Sequence, residues 1–202
     1  MSVWRERQPL ILASQSAVRK SLLANAGIAV EMIPADIDER GIQQNSGLKK
    51  PGRIASLLAA EKAKFISAEN PGRYVVGADQ TLALGERLFS KPASRAAAAE
   101  QIKTLAGQTH ALHSAVSVAR DGAVLFSDVS IARMTMRSLT DEEIAAYIEE
   151  AGDAVRSSVG AYQLERTGVH LFARIEGDHF TILGLPLLPL FEFLRSRNLL
   201  TV

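Results

Sequence analysis

The segment from Leu10 to Leu23 contains residue types that bind phosphate in proteins. An apolar run ends at Ser14 and Ser16, and Arg19 follows just before a Leu-Leu pair typical of a helix. This order predicts a strand, a turn and a helix start, which together place hydroxyls, backbone N–H groups and one cation at a single point. The alternative is that Ser14 or Ser16 only caps the helix and that Arg19 is solvated.

Asp79 is the strongest single candidate for catalysis. Residues 74–79 predict a buried strand that ends in this carboxylate, and ligands of α/β proteins bind beyond the carboxyl ends of strands. The small pair Gly77-Ala78 would let a ligand approach the backbone closely. The alternative is that Asp79 only stabilises a turn or caps a helix.

Two lysines add cations to this set. Lys91 precedes Pro92, whose ring restricts the backbone and so orients the lysine. Lys62 lies on the flank of the apolar stripe of a helix predicted over residues 53–69. It either extends to water or reaches into a cleft that borders the core.

An acidic segment lies in the loop-rich stretch predicted for residues 34–51. Asp36, Asp38 and Glu39 could hold Mg²⁺, because hard cations bind carboxylate oxygens and substrate phosphates. A solvated acidic loop is the alternative. Taken together, the cations, carboxylates and hydroxyls are the groups that phosphoryl transfer requires: charge for the phosphates, a metal site and a base that orients water.

The composition argues against several other functions. The chain has 202 residues with a formal net charge of +1, so we expect no stable nucleic-acid partner. The absence of cysteine excludes disulfides, thiolate zinc sites and cysteine nucleophiles. The first residues are too polar for a signal peptide, and the apolar stretch from Leu183 to Leu194 is broken by prolines and too short to span a membrane. We therefore expect a cytoplasmic protein with no membrane partner.

Hydrophobic periodicity predicts an α/β fold, a mixed and bent sheet flanked by helices, with two lobes around a central cleft. We expect a single domain over residues 1–202. Strands are predicted at residues 10–13, 30–33 and 74–79, and helices at 16–26, 53–69, 94–105, 144–150 and 187–197. Hairpins are predicted over residues 82–89, 110–136 and 169–183.

The order of these motifs resembles the Maf family of nucleoside triphosphate pyrophosphatases, and the match covers nearly the whole chain. The matching segments are Leu12 to Leu23, Gly77-Ala78-Asp79, Lys91-Pro92, Leu105 to His110, Gly160-Ala161-Tyr162 and Gly184-Leu185-Pro186. The resemblance implies an inosine triphosphatase-like or Maf-like fold. It also implies hydrolysis between the α- and β-phosphates of a nucleoside triphosphate, with Mg²⁺ or Mn²⁺ as cofactor, and a homodimer.

The resemblance also implies roles for individual residues. Asp79 would be the proton acceptor and a metal-site carboxylate, and Asp38 would assist at the metal. The triphosphate would be held by Ser14, Arg19, Lys62 and Lys91, with the hydroxyl of Ser16 beside them.

The choice of base would depend on Val18, Gln80 and Glu165. Gln80 and Glu165 are similar to the branch of the family that acts on 7-methyl-GTP. A carboxylate can accept hydrogen bonds from both N1–H and the exocyclic amine of guanine, whereas uracil and thymine offer one donor and two carbonyls. Val18 stands where relatives carry an arginine or an aromatic residue. Broader nucleoside triphosphates therefore remain an alternative to 7-methyl-GTP.

A different class of function is also consistent with the resemblance. The family has been linked to septum formation and division arrest, so a non-catalytic nucleotide-binding regulator is the alternative to an enzyme. A regulator would need a ligand pocket but would not need Asp79.

Overall fold

A computed structural model describes residues 3–202 as a mixed α/β fold built on a seven-stranded sheet. The strand order is β2-β1-β3-β5-β6-β7, and β4 pairs with β3 away from this path. The strands are β1 (Leu10–Leu12), β2 (Val30–Met32), β3 (Val75–Leu84), β4 (Arg87–Phe89), β5 (Thr109–Arg120), β6 (Ala123–Met136) and β7 (Phe172–Glu176). The prediction of a mixed sheet flanked by helices is confirmed.

The described part of the chain contains seven α-helices, the last two of which follow the last strand. They are α1 (Ala17–Asn25), α2 (Glu39–Ser46), α3 (Pro51–Glu69), α4 (Arg95–Leu105), α5 (Asp141–Ala151), α6 (His179–Ile182) and α7 (Leu187–Ser196). Short 3₁₀ turns occupy Gly152–Arg156, Val159–Ala161 and Thr167–Leu171. No helix within residues 3–202 combines the length and the apolar character that crossing a bilayer requires.

The chain divides into two compact units. The first contains the described residues up to Asp79, Ser114–Ser130 and Gly184–Val202, and the second contains Gln80–His113 and Ile131–Leu183. Each unit has its own apolar core. In the first, Ile11, Ala13, Ile66 and Val75 pack together. In the second unit, the helices α4 and α5 pack on the sheet, and Ile102 and Met134 are fully buried in the core. The central cleft between two lobes stays a prediction. The single domain expected over residues 1–202 also stays a prediction.

Strand β3 continues past the point where the sequence predicted its end. It pairs in parallel with β1 only as far as Leu12 opposite Val76, and it pairs antiparallel with β4 from Leu82 to Leu84. The prediction that Asp79 ends a strand is therefore wrong. Asp79 nevertheless lies beyond the carboxyl end of β1, because β1 stops at Leu12 while β3 runs on.

Two further predictions differ from the structure. The stretch 34–51 contains α2, which sequence periodicity missed because this helix buries no residue against the core. The second half of the hairpin predicted over residues 169–183 is the helix α6, which begins after its N-cap Asp178. The strand in this stretch is limited to β7.

Candidate active site

The turn between β1 and α1 is built around the side chain of Arg19. Ser16 is the N-cap of α1, and its Oγ accepts a hydrogen bond from the backbone N–H of Arg19 at 3.3 Å. The Oγ of Ser14 accepts from the backbone N–H of Ser16 at 3.2 Å and from Nη1 of Arg19 at 3.3 Å. Ser16 therefore caps α1 and Ser14 contacts the arginine, while phosphate binding by these two serines stays a prediction.

The guanidinium of Arg19 is not solvated, in contrast to the alternative weighed from the sequence. Its Nε donates to the carbonyl of Gly184 and its Nη1 to the carbonyl of Ala78, both at 2.8 Å. Burial lowers the pKa of Arg19, and the charges of Asp79 and Glu39 oppose this effect. Anchored at Nε and Nη1, the arginine is a fixed cation beside two carboxylates.

Gly77 sets the distance between α3 and β3. A Cβ at this glycine would lie 2.1 Å from the carbonyl oxygen of Ala59 and 2.7 Å from the backbone nitrogen of Ala63, both on α3. The space that the sequence analysis reserved for a ligand is therefore taken by the helix. This close approach brings the α3 side chain of Lys62 to Asp79 on β3.

Lys62 joins two carboxylates. Its Nζ lies 2.8 Å from Oδ1 of Asp79 and 3.0 Å from Oε1 of Glu39. The side chains of Lys62 and Asp79 are only 11% and 13% exposed, whereas that of Glu39 is 47% exposed. Lys62 thus does not extend to water, and Asp79 is neither a turn nor a cap residue. The Lys62–Asp79 pair is therefore largely shielded from water, whereas Glu39, the second carboxylate that contacts Lys62, faces solvent.

Burial has the largest effect on the pKa of Asp79. Burial raises its pKa above the ordinary value, and the charge of Glu39 acts in the same direction. Lys62, through its charge and its hydrogen bond, and Arg19, through its charge, oppose the rise. A carboxylate with a raised pKa is a better proton acceptor near neutral pH than an ordinary one.

Asp38 and Glu39 are neighbours in sequence but make different contacts. Asp38 is the N-cap of α2, and its Oδ1 accepts a hydrogen bond from the backbone N–H of Gly41 at 3.0 Å. Glu39 begins the helix and contacts Lys62. The acidic run 36–39 predicts Glu39 only as one of three carboxylates that could hold Mg²⁺, and its contact with Lys62 has no signal in the sequence.

In the first unit, Val18 lies on α1 next to Arg19 and is half-buried. In the second unit, Gln80 follows Asp79 on β3, and its Nε2 donates to the carbonyls of Thr181 and Ile182. Lys91 is exposed in the loop after β4, while the following Pro92 is buried. No carboxylate of the described residues forms a salt bridge with Lys91.

The turn at Gly160 and Ala161 leads to Glu165. Both residues have positive φ angles, and a Cβ at Gly160 would lie 2.5 Å from the side chain of Leu82. The hydroxyl of Tyr147 donates to the carbonyl of Ala161 at 3.1 Å. This anchored turn leaves Glu165 exposed at the surface of the second unit.

A cavity of about 340 Å³ in the second unit is lined in part by Tyr147, Gln163 and Arg166, of which Arg166 follows Glu165 in sequence. Burial raises the pKa of Tyr147 to about 12, and the charge of Glu165 adds to this rise. The sequence neighbours of Glu165 thus form the wall of a pocket that contains an aromatic ring.

Comparison with known proteins identifies the family. The family model described as Maf-like protein matches residues 9–197. The chain belongs to the Maf family. A nucleoside triphosphate pyrophosphatase of Rhodopseudomonas palustris (strain ATCC BAA-98 / CGA009) is 65% identical over 202 residues, with full coverage of both chains. A 7-methyl-GTP pyrophosphatase of Rhizobium etli is 50% identical over 190 residues, which are 93% of this chain and 95% of that protein.

Among solved structures, a HAM1 protein from Coxiella burnetii overlaps 63% of this chain and 72% of its own, with a TM-score of 0.43 and 15% identity. Agreement at that level carries no argument about the site. The Maf assignment rests on the family model and on the full-length relatives. It confirms the family predicted from the motif order.

Proposed function

We propose that this Maf protein hydrolyses nucleoside triphosphates between the α- and β-phosphates and releases a nucleoside monophosphate and pyrophosphate. The observation that carries the proposal is the buried contact of Lys62 with Asp79, flanked by Glu39 and Arg19. Full-length relatives named nucleoside triphosphate pyrophosphatase support the same reaction.

In the proposed reaction, each of these groups of the first unit has a task. Water is the nucleophile; its oxygen forms a bond to phosphorus, and the bond between that phosphorus and the bridging oxygen breaks. Pyrophosphate leaves with the electron pair of that bond, and Asp79 accepts the proton of the water. Lys62 and Arg19 balance the negative charge that develops on the phosphates.

The carboxylates of the first unit fit a divalent cation. Mg²⁺ is commonly held by one or two carboxylates together with waters and substrate phosphates, so a larger cluster of acidic residues is not required. We propose Asp79 and Glu39 as these carboxylates, because both contact Lys62. The resemblance implies Asp38 for this task, but one of its oxygens is engaged with Gly41. Bound Mg²⁺ or Mn²⁺ would supply positive charge at the phosphates.

The variant Glu39→Gln separates these two acidic neighbours. We expect it to raise the cation concentration needed for half-maximal activity by a factor of about 10–100, the range for altered groups around metal sites. Asp38→Asn is the matched control, since asparagine caps a helix as well as aspartate does. Activity measured at a fixed substrate concentration and increasing Mg²⁺ or Mn²⁺ gives this half-maximal concentration for both variants. A larger effect of Asp38→Asn would assign the metal to Asp38 instead.

We further propose that the base is guanine or its 7-methyl derivative. Gln80 and Glu165 match the branch that acts on 7-methyl-GTP, and a relative with that printed name is 50% identical. The cavity lined by Tyr147 and Arg166 in the second unit contains an aromatic residue. An aromatic face attracts a cationic base such as 7-methylguanine.

The variant Glu165→Gln tests this choice of base. A carboxylate accepts two donors, whereas an amide offers one acceptor and one donor group, so the guanine edge loses a hydrogen bond. We expect kcat/KM for guanine substrates to fall about tenfold relative to uracil substrates, the value of one net hydrogen bond. Glu176→Gln, in the exposed pair with Arg174, is the control. An unchanged ranking of substrates would refute the role of Glu165.

A panel of standard, methylated and deaminated nucleoside triphosphates tests the proposed reaction. Each is incubated with Mg²⁺ or Mn²⁺ and with a chelator, and the readout separates pyrophosphate from single phosphate. Release of pyrophosphate alone supports hydrolysis of the α–β bond, and release of single phosphate contradicts it. Binding without either product would instead favour the nucleotide-binding regulator.

We also propose that the protein acts as a homodimer in the cytoplasm, where nucleoside triphosphates are made and used. The assembly is implied by the family rather than by a contact in the chain. Light scattering of the purified protein measures its mass in solution.

A further inference from the structure

A further cavity lies in the first unit, at the amino ends of β1 and β3. Its volume is about 470 Å³, which is within the range of sites for small ligands. Pro9 directly precedes β1 and Tyr74 directly precedes β3, and both residues line the cavity. The extended chain from Tyr74 to Asp79 spans about 17 Å at roughly 3.3 Å per residue. The cavity is therefore separate from the candidate active site.

A short loop with fixed ends brings charged residues to this cavity. They are Arg5, Glu6 and Arg7. The loop is closed by Nε1 of Trp4, which donates a hydrogen bond to the carbonyl of Gln8 at 2.8 Å. Trp4 also forms a β-bridge with Leu200, and the backbone N–H of Arg5 donates to the carbonyl of Leu199 at 3.0 Å. The backbone that carries the charged side chains is thus held in place before any ligand binds.

Arg73 provides a third guanidinium to the wall of the cavity. Its Nη2 donates to the carbonyl of Pro9 and pairs with Oε2 of Glu31, both at 2.7 Å. Its Nε is shielded from solvent and meets no acceptor among residues 3–202. Buried donors without a protein partner are typical of places where a water or an ion binds. Arg73 is therefore a fixed cation that Glu31 offsets and that retains an unused donor.

Arg5 and Arg7 supply positive charge that the protein does not compensate. Both residues are exposed, and neither forms a salt bridge with a carboxylate of residues 3–202. Even with Glu6 counted, the residues that line the cavity carry more positive than negative charge. A guanidinium presents several N–H donors in one plane, which suits the paired oxygens of a phosphate group. The cavity therefore favours an anion with several oxygens.

We propose that this cavity is a binding site for a phosphate group, carried by a nucleotide or by free pyrophosphate, with Arg5 and Arg7 as its donors. The site goes beyond the proposed pyrophosphatase function and does not depend on it. Trp4 and Tyr74 lie in the same wall and give a nucleotide base an aromatic surface, whereas pyrophosphate would use the arginines alone.

Trp4 makes a direct test possible. It is the only tryptophan of the chain and it lines the cavity, so tryptophan fluorescence reports on this site. Pyrophosphate and guanosine monophosphate are titrated separately at constant ionic strength, because salt screens exposed charges. We expect a saturable change in fluorescence, and the probe that binds more tightly shows which source of phosphate the site prefers. No saturable change with either probe would overturn the proposal.

Arg5→Gln and Arg7→Gln are each expected to weaken binding about 10–100-fold, the value of one hydrogen bond to a charged group. Arg156→Gln is the matched control, since it removes one exposed arginine from the second unit and changes the net charge equally. We expect it to leave binding unchanged, and thermal melting shows that all three variants remain folded. Unchanged binding in either cavity variant, or equal weakening in Arg156→Gln, would contradict the site.

Pyrophosphate release by Arg5→Gln and Arg7→Gln separates this cavity from the candidate active site. Both variants retain Arg19, Lys62 and Asp79, so we expect turnover without added anion to be unchanged. A fall in turnover as large as the loss of binding would mean that the fluorescence reports the active site, and the proposal would fail. The titration itself requires no turnover, so failure of the proposed pyrophosphatase function would leave its result unaffected.

Discussion

Asp79→Asn is expected to release pyrophosphate about 10²–10⁴-fold more slowly than the wild type, which is the range for loss of a positioned proton acceptor. The substitution keeps the shape of the side chain but removes its negative charge and its ability to accept a proton from water. The measurement is pyrophosphate release at saturating substrate and cation. The expected loss is in kcat, because Arg19 and Lys62 remain to hold the phosphates.

The control for this variant is Asp153→Asn. Asp153 is an exposed carboxylate whose side chain is 81% accessible and pairs with Arg95 on the surface. We expect its replacement to leave turnover unchanged, and thermal melting shows whether either variant loses its fold. Undiminished turnover in folded Asp79→Asn would remove Asp79 from the mechanism.

Lys62→Met is expected to reduce both stability and turnover. It leaves Asp79 buried without the cation that contacts it, and breaking such a pair costs about 3–5 kcal/mol. Arg19 remains nearby, so we expect the lower end of that range. Turnover falls as well, because the lysine no longer offsets charge on the phosphates. Urea unfolding and pyrophosphate release measure the two effects.

The loss of stability in Lys62→Met is expected to grow as the pH rises. Burial raises the pKa of Asp79, and Lys62 opposes that rise, so the variant has a still higher pKa. The folded state then holds a proton that the unfolded chain releases, and stability falls as pH rises from the ordinary aspartate pKa through the raised one. We expect the variant to be most destabilised above that window and to recover as the pH is lowered through it.

Lys64→Met provides the matched control on the same helix. Lys64 is half exposed and pairs with Glu61 at 3.1 Å, an arrangement worth little in water. We expect a small loss with little dependence on pH. A similar loss in both lysine variants, or a loss in Lys62→Met that does not change with pH, would contradict the buried pair.

Local signals in the sequence account for most of the elements. Ser94 and Thr140 begin helices by capping them, and Thr140 forms a capping box with Glu143. Asp121 and Gly122 both have positive φ angles, as the two-residue turn between β5 and β6 requires. These features involve neighbours in sequence, so they can be read without knowledge of the fold.

The errors have different physical causes. β3 extends through Asp79 because the strand predicted over residues 74–79 and the first strand of the hairpin predicted over residues 82–89 are one continuous strand. The helix α2 has no apolar face to detect, and α6 depends on its cap at Asp178. At the site, the residue types could be predicted from the sequence. Whether Lys62 extends to water or contacts Asp79 could not, because it depends on the packing of α3 on β3.

Gly77 makes the geometry of the Lys62–Asp79 pair depend on a main-chain contact. Its missing side chain lets the backbone of α3 rest on β3, and Lys62 and Asp79 inherit their 2.8 Å separation from that contact. A single methyl group added at Gly77 would meet the backbone of α3 and push the helix and strand apart. Under the proposed function, changes at Gln80 and Glu165 alter the choice of base, while the spacing between helix and strand is a condition that every substrate shares.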